Sequence, residues 1–326
     1  MLLPLTLAAA ACGSDHSPPP MRDSKPKKPV PPPKPAAPPS PIGDVSIRPQ
    51  AVQRMLDPTV GVAPLPTPEA GDWLAEHAET PQTFDDYLHS DANVPTDQRH
   101  TLYLLPIGTF PKDASPSLEA LQQIVHAFYT LDVRVLPAVP LRELSATSRT
   151  NPSTRKRQLL APDILRWLTK RLPDDAYALM AVTMEDLYPE PSWNFVFGMA
   201  SLQARVGVQS FARQDPAFFG DPRTPGWQQL ALRRAARTLL HEIAHMFGLS
   251  HCTFYACVVN GSNHQAEADR SPLHACPVDL HKLWWAIRFD PIAREATLAA
   301  TFRALHFDEE ASYYDRRVAY LRDGTR

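Results

Sequence analysis

The chain has 326 residues, of which 44% are hydrophobic and 21% are charged, so it has enough apolar sequence to bury a full hydrophobic core. Its formal net charge of -2 gives no electrostatic argument for a nucleic-acid partner or for adsorption on an anionic membrane. The 36 prolines exceed the usual share of about 5%. Many of them lie near the N-terminus, which separates a proline-rich start from the remainder of the chain.

Residues 1–12 are predicted to be a lipoprotein-type signal segment that ends at Cys12. The small residues Ala9, Ala10 and Ala11 resemble the box that precedes the lipidated cysteine of bacterial lipoproteins. No Lys or Arg precedes the apolar region, as a signal would require, so an ordinary secretory signal and an incidental apolar tail stay open as alternatives. We expect an exported cell-envelope lipoprotein, on the outer-membrane or periplasmic side, that contacts a membrane only through a lipid on Cys12.

Residues 13–44 alternate prolines with lysines and alanines. This composition cannot form a packed core and favours an extended, disordered linker of polyproline type. From 45 to 99, Pro, Asp and Thr interrupt short helical patterns such as the one at 72–77. We interpret this second region as an irregular lead-in that packs on a catalytic domain.

Strand and helix patterns alternate from His100 onward. Apolar runs and helical spacing predict strands at 100–107, 133–137, 177–183, 194–200 and 206–211, and helices at 117–129, 162–172, 280–287 and 293–322. Ser117 can cap the first of these helices. The order predicts an α/β layer with a mostly parallel sheet. One of the later strands could form a sheet edge to which an extended peptide adds, or it could be an ordinary sheet strand.

The stretch from His241 to His251 reads H-E-x-x-H-x-x-G-x-x-H. Residues four apart lie on one helix face, so His241 and His245 can bind one zinc ion, and Glu242 lies where a carboxylate can take a proton from zinc-bound water. Gly248 permits the sharp turn that delivers His251 as a third ligand, which leaves a fourth position open. The alternative is a polar helix face whose histidines meet only solvent or each other.

Three cysteines follow this motif closely. Cys252, Cys257 and Cys276 all lie within about 25 residues of His251. Three thiols near histidines favour a second, closed zinc site, with Asp279 as an oxygen ligand. A Cys252–Cys257 disulfide with Cys276 free, or three buried thiols that behave as small hydrophobes, remain alternatives.

The histidine motif, with Cys252 and Cys257 after it and Cys276 further on, resembles the signature of the archaemetzincins, zinc peptidases of the metzincin group. The resemblance covers roughly residues 100–290, which we take as the catalytic domain, with 291–326 as a C-terminal helical extension. It implies a metzincin-like α/β (α+β) fold, in which an upper subdomain has a mixed β-sheet and helices, including the active-site helix. A smaller lower subdomain is mainly helical.

The same resemblance implies that His241, His245 and His251 bind the catalytic zinc and that Glu242 is the general base. The chain departs from the family pattern at two positions. Val259 replaces the methionine beneath the zinc site, and Asp279 replaces the last cysteine of the second site. His274 or His281 could serve as the fourth ligand instead of Asp279.

We therefore predict a zinc-dependent peptidase that hydrolyses peptides or proteins with zinc-activated water. It has one catalytic zinc and, where the cysteine cluster is completed, a second structural zinc. Two alternatives are a non-catalytic zinc-containing binding or scaffold lipoprotein and a zinc hydrolase of a non-peptide amide. The motif specifies the attacking water, so it leaves the substrate, and the choice between exopeptidase and endopeptidase, open.

Overall fold

The computed structural model describes residues 40–324. The predicted signal segment with Cys12 and most of the predicted linker 13–44 lie outside the described residues. Packing begins inside the last part of that linker, because Ile42 is buried and its carbonyl accepts a hydrogen bond from Nδ1 of His281 at 2.7 Å.

The lead-in region contains three short helices, α1 (Gln50–Met55), α2 (Trp73–Glu76) and α3 (Phe84–Leu88). Helix α3 begins with a capping box, in which the side chains of Thr83 and Asp86 each bond the other residue's backbone N–H. The Tyr87 hydroxyl of α3 donates to the Phe247 carbonyl at 2.9 Å. The lead-in therefore packs against the part of the chain that carries the histidine motif.

The remaining elements follow in chain order. The strands are β1 (Thr101–Ile107), β2 (Asp132–Val135), β3 (Ser148–Thr150), β4 (Arg157–Leu160), β5 (Ala176–Thr183), β6 (Asp186–Tyr188), β7 (Gly198–Ser201) and β8 (Val206–Ser210). The helices are α4 (Leu118–Tyr129), α5 (Ala161–Thr169), α6 (Trp227–Met246), α7 (Gln265–Arg270), α8 (Pro277–Ile287), α9 (Pro291–Ala304) and α10 (Asp308–Asp323).

The central sheet has the strand order β2-β1-β5-β8-β7. All neighbouring strands are parallel except β7, which pairs with β8 in the antiparallel sense and lies at the edge. Ser117 caps α4 by accepting a hydrogen bond from the Ala120 N–H at 3.1 Å. The predicted α/β class with a mostly parallel sheet is confirmed.

Both faces of this sheet are covered, and β1 shows how. Leu102 and Leu104 belong to a core that includes residues of α4 and α6, whereas Tyr103 and Leu105 belong to a core that includes residues of α5. Successive side chains of a strand point to opposite faces, so a strand that is buried on both sides reads as a continuous apolar run. This packing fixes α6 against one face of the sheet.

Three details differ from the sequence-based expectations. The strand predicted at 194–200 is shorter, because β7 begins only at Gly198. A small sheet of order β3-β4-β6 was not predicted, since strands of three or four residues carry too little periodicity to recognise. The helical region predicted at 293–322 is two helices, α9 and α10, separated by a turn in which His306 has φ +60°.

Within residues 40–324, no helix has both the length and the apolar character that crossing a membrane would require.

Candidate active site

Helix α6 carries the first two histidines of the motif. His241 and His245 lie one turn apart on it, and the helix ends just before Gly248, which has φ +86°. This left-handed conformation favours glycine and redirects the chain so that His251 returns to the same place. The ring centroids of the three imidazoles are 4.6, 5.0 and 5.1 Å apart.

Each imidazole is held by a hydrogen bond at Nδ1. The partners are the Val258 carbonyl for His241 at 3.1 Å, the Leu249 carbonyl for His245 at 2.7 Å, and Oε1 of Glu79 for His251 at 2.6 Å. An Nδ1–H that donates to oxygen leaves Nε2 as the unprotonated, metal-binding nitrogen. Nε2 of His241 lies 3.0 Å from Nε2 of His245, and one ring nitrogen from each of the three histidines falls within a common 4.8 Å cluster. The donor set fits a metal bound by three imidazoles.

Burial sets the charge state of this cluster. It lowers the pKa of His241 well below its ordinary value and that of His245 to about 4, so both rings are neutral at pH 7, the form that binds a metal. Burial also raises the pKa of Glu242 to about 8, while the charge of Arg237 acts in the opposite direction. Glu242 is thus a carboxyl group with a raised affinity for a proton beside the neutral imidazoles of His241 and His245.

Gly198, the first residue of β7, makes room for Glu242. A Cβ placed on Gly198 would lie 2.7 Å from both Cγ and Oε1 of Glu242, closer than atoms in contact can approach. The edge strand and the carboxylate can approach this closely only because the residue is glycine. In the sequence, a glycine inside a predicted strand is a sign that another group approaches the backbone closely at that position.

The histidines and Glu242 open into a cleft of about 730 Å³ between β7 and the lead-in. Trp73 of α2 and Trp193 both line this cleft, and their ring centroids lie 6.4 Å apart. Trp73 also donates from Nε1 to Glu79 at 2.7 Å. The cleft therefore combines an aromatic wall with a sheet edge, which suits an extended chain with apolar side chains.

The second predicted site is fully buried. Cys252, Cys257, Cys276 and Asp279 each offer one ligand atom within a 4.8 Å cluster. Sγ of Cys252 lies 3.5 Å from Sγ of Cys276, and Oδ2 of Asp279 lies 3.2 Å from Sγ of Cys257. All three cysteines are free thiols, so the structure does not contain the alternative disulfide. Three sulfur atoms and one oxygen fit a closed metal site.

The charges of this cluster are distributed unevenly. Hydrogen bonds from Cys257 and Cys276 lower the pKa of the Cys252 thiol, whereas burial raises the pKa of both of those thiols. Burial raises the pKa of Asp279 to about 6, although Lys282 acts against this. Lys282 donates to Oδ1 of Asp279 at 2.9 Å, which leaves Oδ2 directed at the thiols.

Lys282 also connects the two clusters. Besides Asp279, it donates to the Gln82 carbonyl at 2.8 Å, and Gln82 in turn donates from Nε2 to the Gly248 carbonyl at 3.0 Å. The turn that delivers His251 is therefore attached to the cysteine cluster by hydrogen bonds as well as by the peptide bond to Cys252.

The two histidines considered as substitutes for Asp279 make other contacts. His281 stacks on Phe84 at 3.5 Å, and the ring of His274 stacks on Tyr313 at 4.1 Å. Val259, which stands where the family pattern has methionine, is fully buried, and its carbonyl accepts a hydrogen bond from the Cys252 N–H at 3.2 Å.

Sequence reasoning missed four residues of the site, namely Glu79, Trp73, Gly198 and Arg237. The first two lie in the lead-in, where no local pattern relates them to the histidines. Arg237 carried a weak signal, because it precedes His241 by four residues and so falls on the face of α6 that bears His241 and His245.

Three histidines that converge around one point, a buried carboxylate beside them and an open cleft are the arrangement expected of zinc-dependent hydrolases. The sequence profile of Peptidase family M54 matches residues 162–284. Human archaemetzincin-2 is 36% identical over 262 residues, which covers 72% of this chain and 73% of that protein. The chain belongs to the archaemetzincin family of zinc metallopeptidases, as predicted.

Other relatives share the same region. Mouse archaemetzincin-2 is 35% identical over 263 residues, which covers 72% of this chain and 73% of that protein. Human archaemetzincin-1 is 30% identical over 250 residues, or 68% of this chain and 50% of that protein. The crystal structure of archaemetzincin from Methanopyrus kandleri is 27% identical, covers 60% of this chain and 99% of its own, and has a TM-score of 0.45.

Proposed function

We propose that His241, His245 and His251 bind the catalytic zinc of a peptidase, with Glu242 as its general base. The observation that carries this proposal is the set of three Nδ1 hydrogen bonds, which leaves three Nε2 atoms to bind one ion beside the Glu242 carboxylate. A site that served structure alone would have no use for a buried carboxylate next to its ligands.

The bound zinc would supply Lewis acidity toward the scissile carbonyl and toward water. Glu242 accepts the proton of the attacking water and later protonates the leaving amine. Burial raises the pKa of Glu242, and this greater affinity for a proton favours its uptake from the attacking water. Gly198 keeps the space in which this carboxylate works.

The substrate is proposed to lie along β7. This strand is at the edge of the sheet, and its residues from Gly198 to Ala200 line the cleft. An edge strand has backbone N–H and C=O groups available for one more strand, so an extended peptide can pair with it. This arrangement would hold the peptide backbone beside Glu242.

A second, structural zinc is proposed at Cys252, Cys257, Cys276 and Asp279. The carboxylate offers Oδ2 to the cluster, while Lys282 neutralises part of the added negative charge from the other side. The two sites together predict two zinc atoms per chain.

Substitution of Glu242 tests the catalytic role directly. The Glu242→Gln variant should keep its zinc and lose peptide hydrolysis by at least about 100-fold, whereas Glu309→Gln, an exposed carboxylate of α10, should leave both unchanged. Zinc is counted by elemental analysis and hydrolysis is followed on a peptide library. Undiminished cleavage by Glu242→Gln would rule out the proposed base. A zinc-loaded parent that binds peptides and cleaves none would favour the binding or scaffold function.

We also propose that a lipid on Cys12 attaches the protein to the cell envelope, a proposal that rests on the sequence alone because Cys12 lies outside the described residues. In a bacterial host, Cys12→Ser should move the protein from the membrane fraction to the soluble fraction. A distribution that is unchanged by the substitution would refute the lipid anchor.

A further inference from the structure

We propose that Arg237 binds a carboxylate of the peptide substrate, so that the enzyme prefers substrates with an acidic group next to the scissile bond. The group is an Asp or Glu side chain, or the C-terminal carboxylate of the substrate. This inference rests on the peptidase function proposed above and specifies its substrate class.

Arg237 lies in the cleft close to the reacting centre. It precedes His241 by one turn of α6, a distance of about 6 Å along the helix axis, and it faces the same side. Both Arg237 and Ser262 line the cleft. Because one residue of an extended peptide spans about 3.3 Å, the guanidinium is within reach of the residues that flank the scissile bond.

The guanidinium of Arg237 is buried and makes no ion pair with any of the described residues. Its side chain is 4% exposed, and within residues 40–324 no carboxylate forms an ion pair with it. Its hydrogen bonds go to neutral oxygens, those of the Asn260 carbonyl and of the Ser262 and Ser271 hydroxyls. Its Nε has no hydrogen-bond partner in the described part of the chain. A buried charge in this state is unusual, because removing it from water is costly unless an anion compensates.

Two neighbouring arginines on the same helix each form an ion pair with a carboxylate. Arg233 pairs with Glu310 at 3.0 Å, and Arg234 pairs with Asp269 at 2.6 Å. Arg237 differs from both because it faces the cleft instead of an acidic side chain. Burial lowers its pKa only to about 10, so it is still positively charged at neutral pH.

The nearby carboxylates are committed elsewhere. Glu242 is the proposed base, and Glu267 accepts hydrogen bonds from the backbone N–H groups of Trp73 and Asn263, at 2.9 and 2.7 Å. Both carboxylates act on the charge of Arg237 from a distance, but neither forms an ion pair with it. A carboxylate brought by the substrate would supply that direct ion pair, and arginine is suited to bind it through more than one N–H. The hydroxyl of Ser262, 3.2 Å from Nη1, can add a further hydrogen bond.

A purely structural role makes a different prediction. If Arg237 only braces the segment from Asn260 to Ser271, its loss should impair cleavage of all peptides equally. If Arg237 binds a substrate carboxylate, its loss should impair only acidic substrates. Selectivity, measured as a ratio of kcat/KM values, therefore separates the two roles.

The experiment compares the zinc-loaded parent with Arg237→Gln and with Arg234→Gln as the matched control from the same helix. A library of proteome-derived peptides, analysed by mass spectrometry, locates acidic residues around the cleavage sites. Peptide pairs that differ by Glu against Gln at the enriched position, with amidated C-termini, then give the kcat/KM ratio. A second set of peptide pairs differs only in having a free or an amidated C-terminus next to the scissile bond. It tests whether the C-terminal carboxylate of the substrate is the group that Arg237 binds.

We expect the parent to favour the acidic member of at least one set by tenfold or more. Arg237→Gln should reduce this ratio to about one, Arg234→Gln should preserve it, and Arg237→Lys should retain part of it, since Lys keeps the charge but not the fork of N–H donors. The proposal would be overturned if the parent cleaved the acidic and the neutral peptide of each pair equally well. It would also be overturned if the ratio of their kcat/KM values stayed unchanged in Arg237→Gln. An equal loss on all peptides would assign Arg237 the structural role.

Binding to a Glu242→Gln chain separates this proposal from the peptidase function. Trp73 and Trp193 line the cleft, so their fluorescence can report the affinity for each peptide without hydrolysis. If Glu242→Gln binds the Gln peptide tenfold more weakly than the Glu peptide, and this difference disappears in Glu242→Gln/Arg237→Gln, the role of Arg237 in binding is supported even if the parent cleaves nothing. Equal affinities would overturn it even if the parent is an active peptidase.

Discussion

Oε1 of Glu79 lies 2.6 Å from Nδ1 of His251, although the two residues are 172 positions apart in the chain. The lead-in region thus supplies the residue that orients the third proposed zinc ligand. Burial acts to raise the pKa of Glu79. The hydrogen bond and charge of His251 and the hydrogen bond from the Trp73 N–H outweigh this effect, so the pKa of Glu79 lies below its ordinary value. The carboxylate is therefore ionised and can polarise the imidazole it contacts.

Glu79→Gln should weaken zinc binding at the catalytic site by about 10- to 100-fold, because the neutral amide cannot support the imidazole as a carboxylate does. Competition with a chromophoric chelator measures this affinity. Glu76→Gln, at an exposed position of the neighbouring helix α2, is the control and should bind zinc as the parent does. An unchanged affinity in Glu79→Gln would mean that this contact does not tune the metal site.

Gly198→Ala should lower kcat/KM by about 100-fold or more, since the new methyl group would displace Glu242 from its place beside the histidines. The zinc content should stay the same, because none of the three histidines moves with it. Gly220→Ala adds the same methyl group where no atom lies within 4 Å of the new Cβ. Because Gly220 has φ +86°, this variant should lose some stability but keep the kcat/KM of the parent. Full activity in Gly198→Ala would show that the exact position of Glu242 is unimportant.

Asp279→Ala should reduce the zinc content from two atoms per chain to one, because the cysteine cluster loses its fourth ligand and Lys282 loses its buried partner. Asp279→Cys should keep two and release the second more slowly to a chelator, since four thiolates suit zinc better. His274→Gln should retain both atoms. Two zinc atoms in Asp279→Ala would show that Asp279 is not a ligand.

Glu295→Ala should destabilise the fold by about 3–5 kcal/mol, because it leaves two buried guanidinium groups without their anion. Glu295 pairs with Arg294 at 3.1 Å and with Arg317 at 3.2 Å, which joins α9 to α10 in the interior. The free energy of unfolding is measured by urea denaturation.

The exposed pair Arg303–Asp315 joins the same two helices and provides the comparison. Asp315→Ala should cost no more than about 1 kcal/mol, because water and salt screen exposed ion pairs. Equal losses of stability in Glu295→Ala and Asp315→Ala would mean that burial of the first pair does not matter.

Local sequence was sufficient for the core of the catalytic site. The four-residue spacing of His241 and His245 places both on one helix face in any surroundings, and Gly248 permits the turn that returns His251. The order of strands and helices from residue 100 onward likewise follows from hydrophobic periodicity, which depends only on neighbours in the chain. These features identify a zinc peptidase before any coordinate is known.

Contacts between distant segments could be decided only by the tertiary structure. The sequence named Asp279, His274 and His281 as candidates for one role, and packing placed only Asp279 beside the thiols. Glu79 and Arg237 carry ordinary side chains whose significance depends on what lies across the cleft. Periodicity determines which face a residue occupies, whereas the partner that meets this face is set by the packing of the whole chain, and no local pattern encodes it.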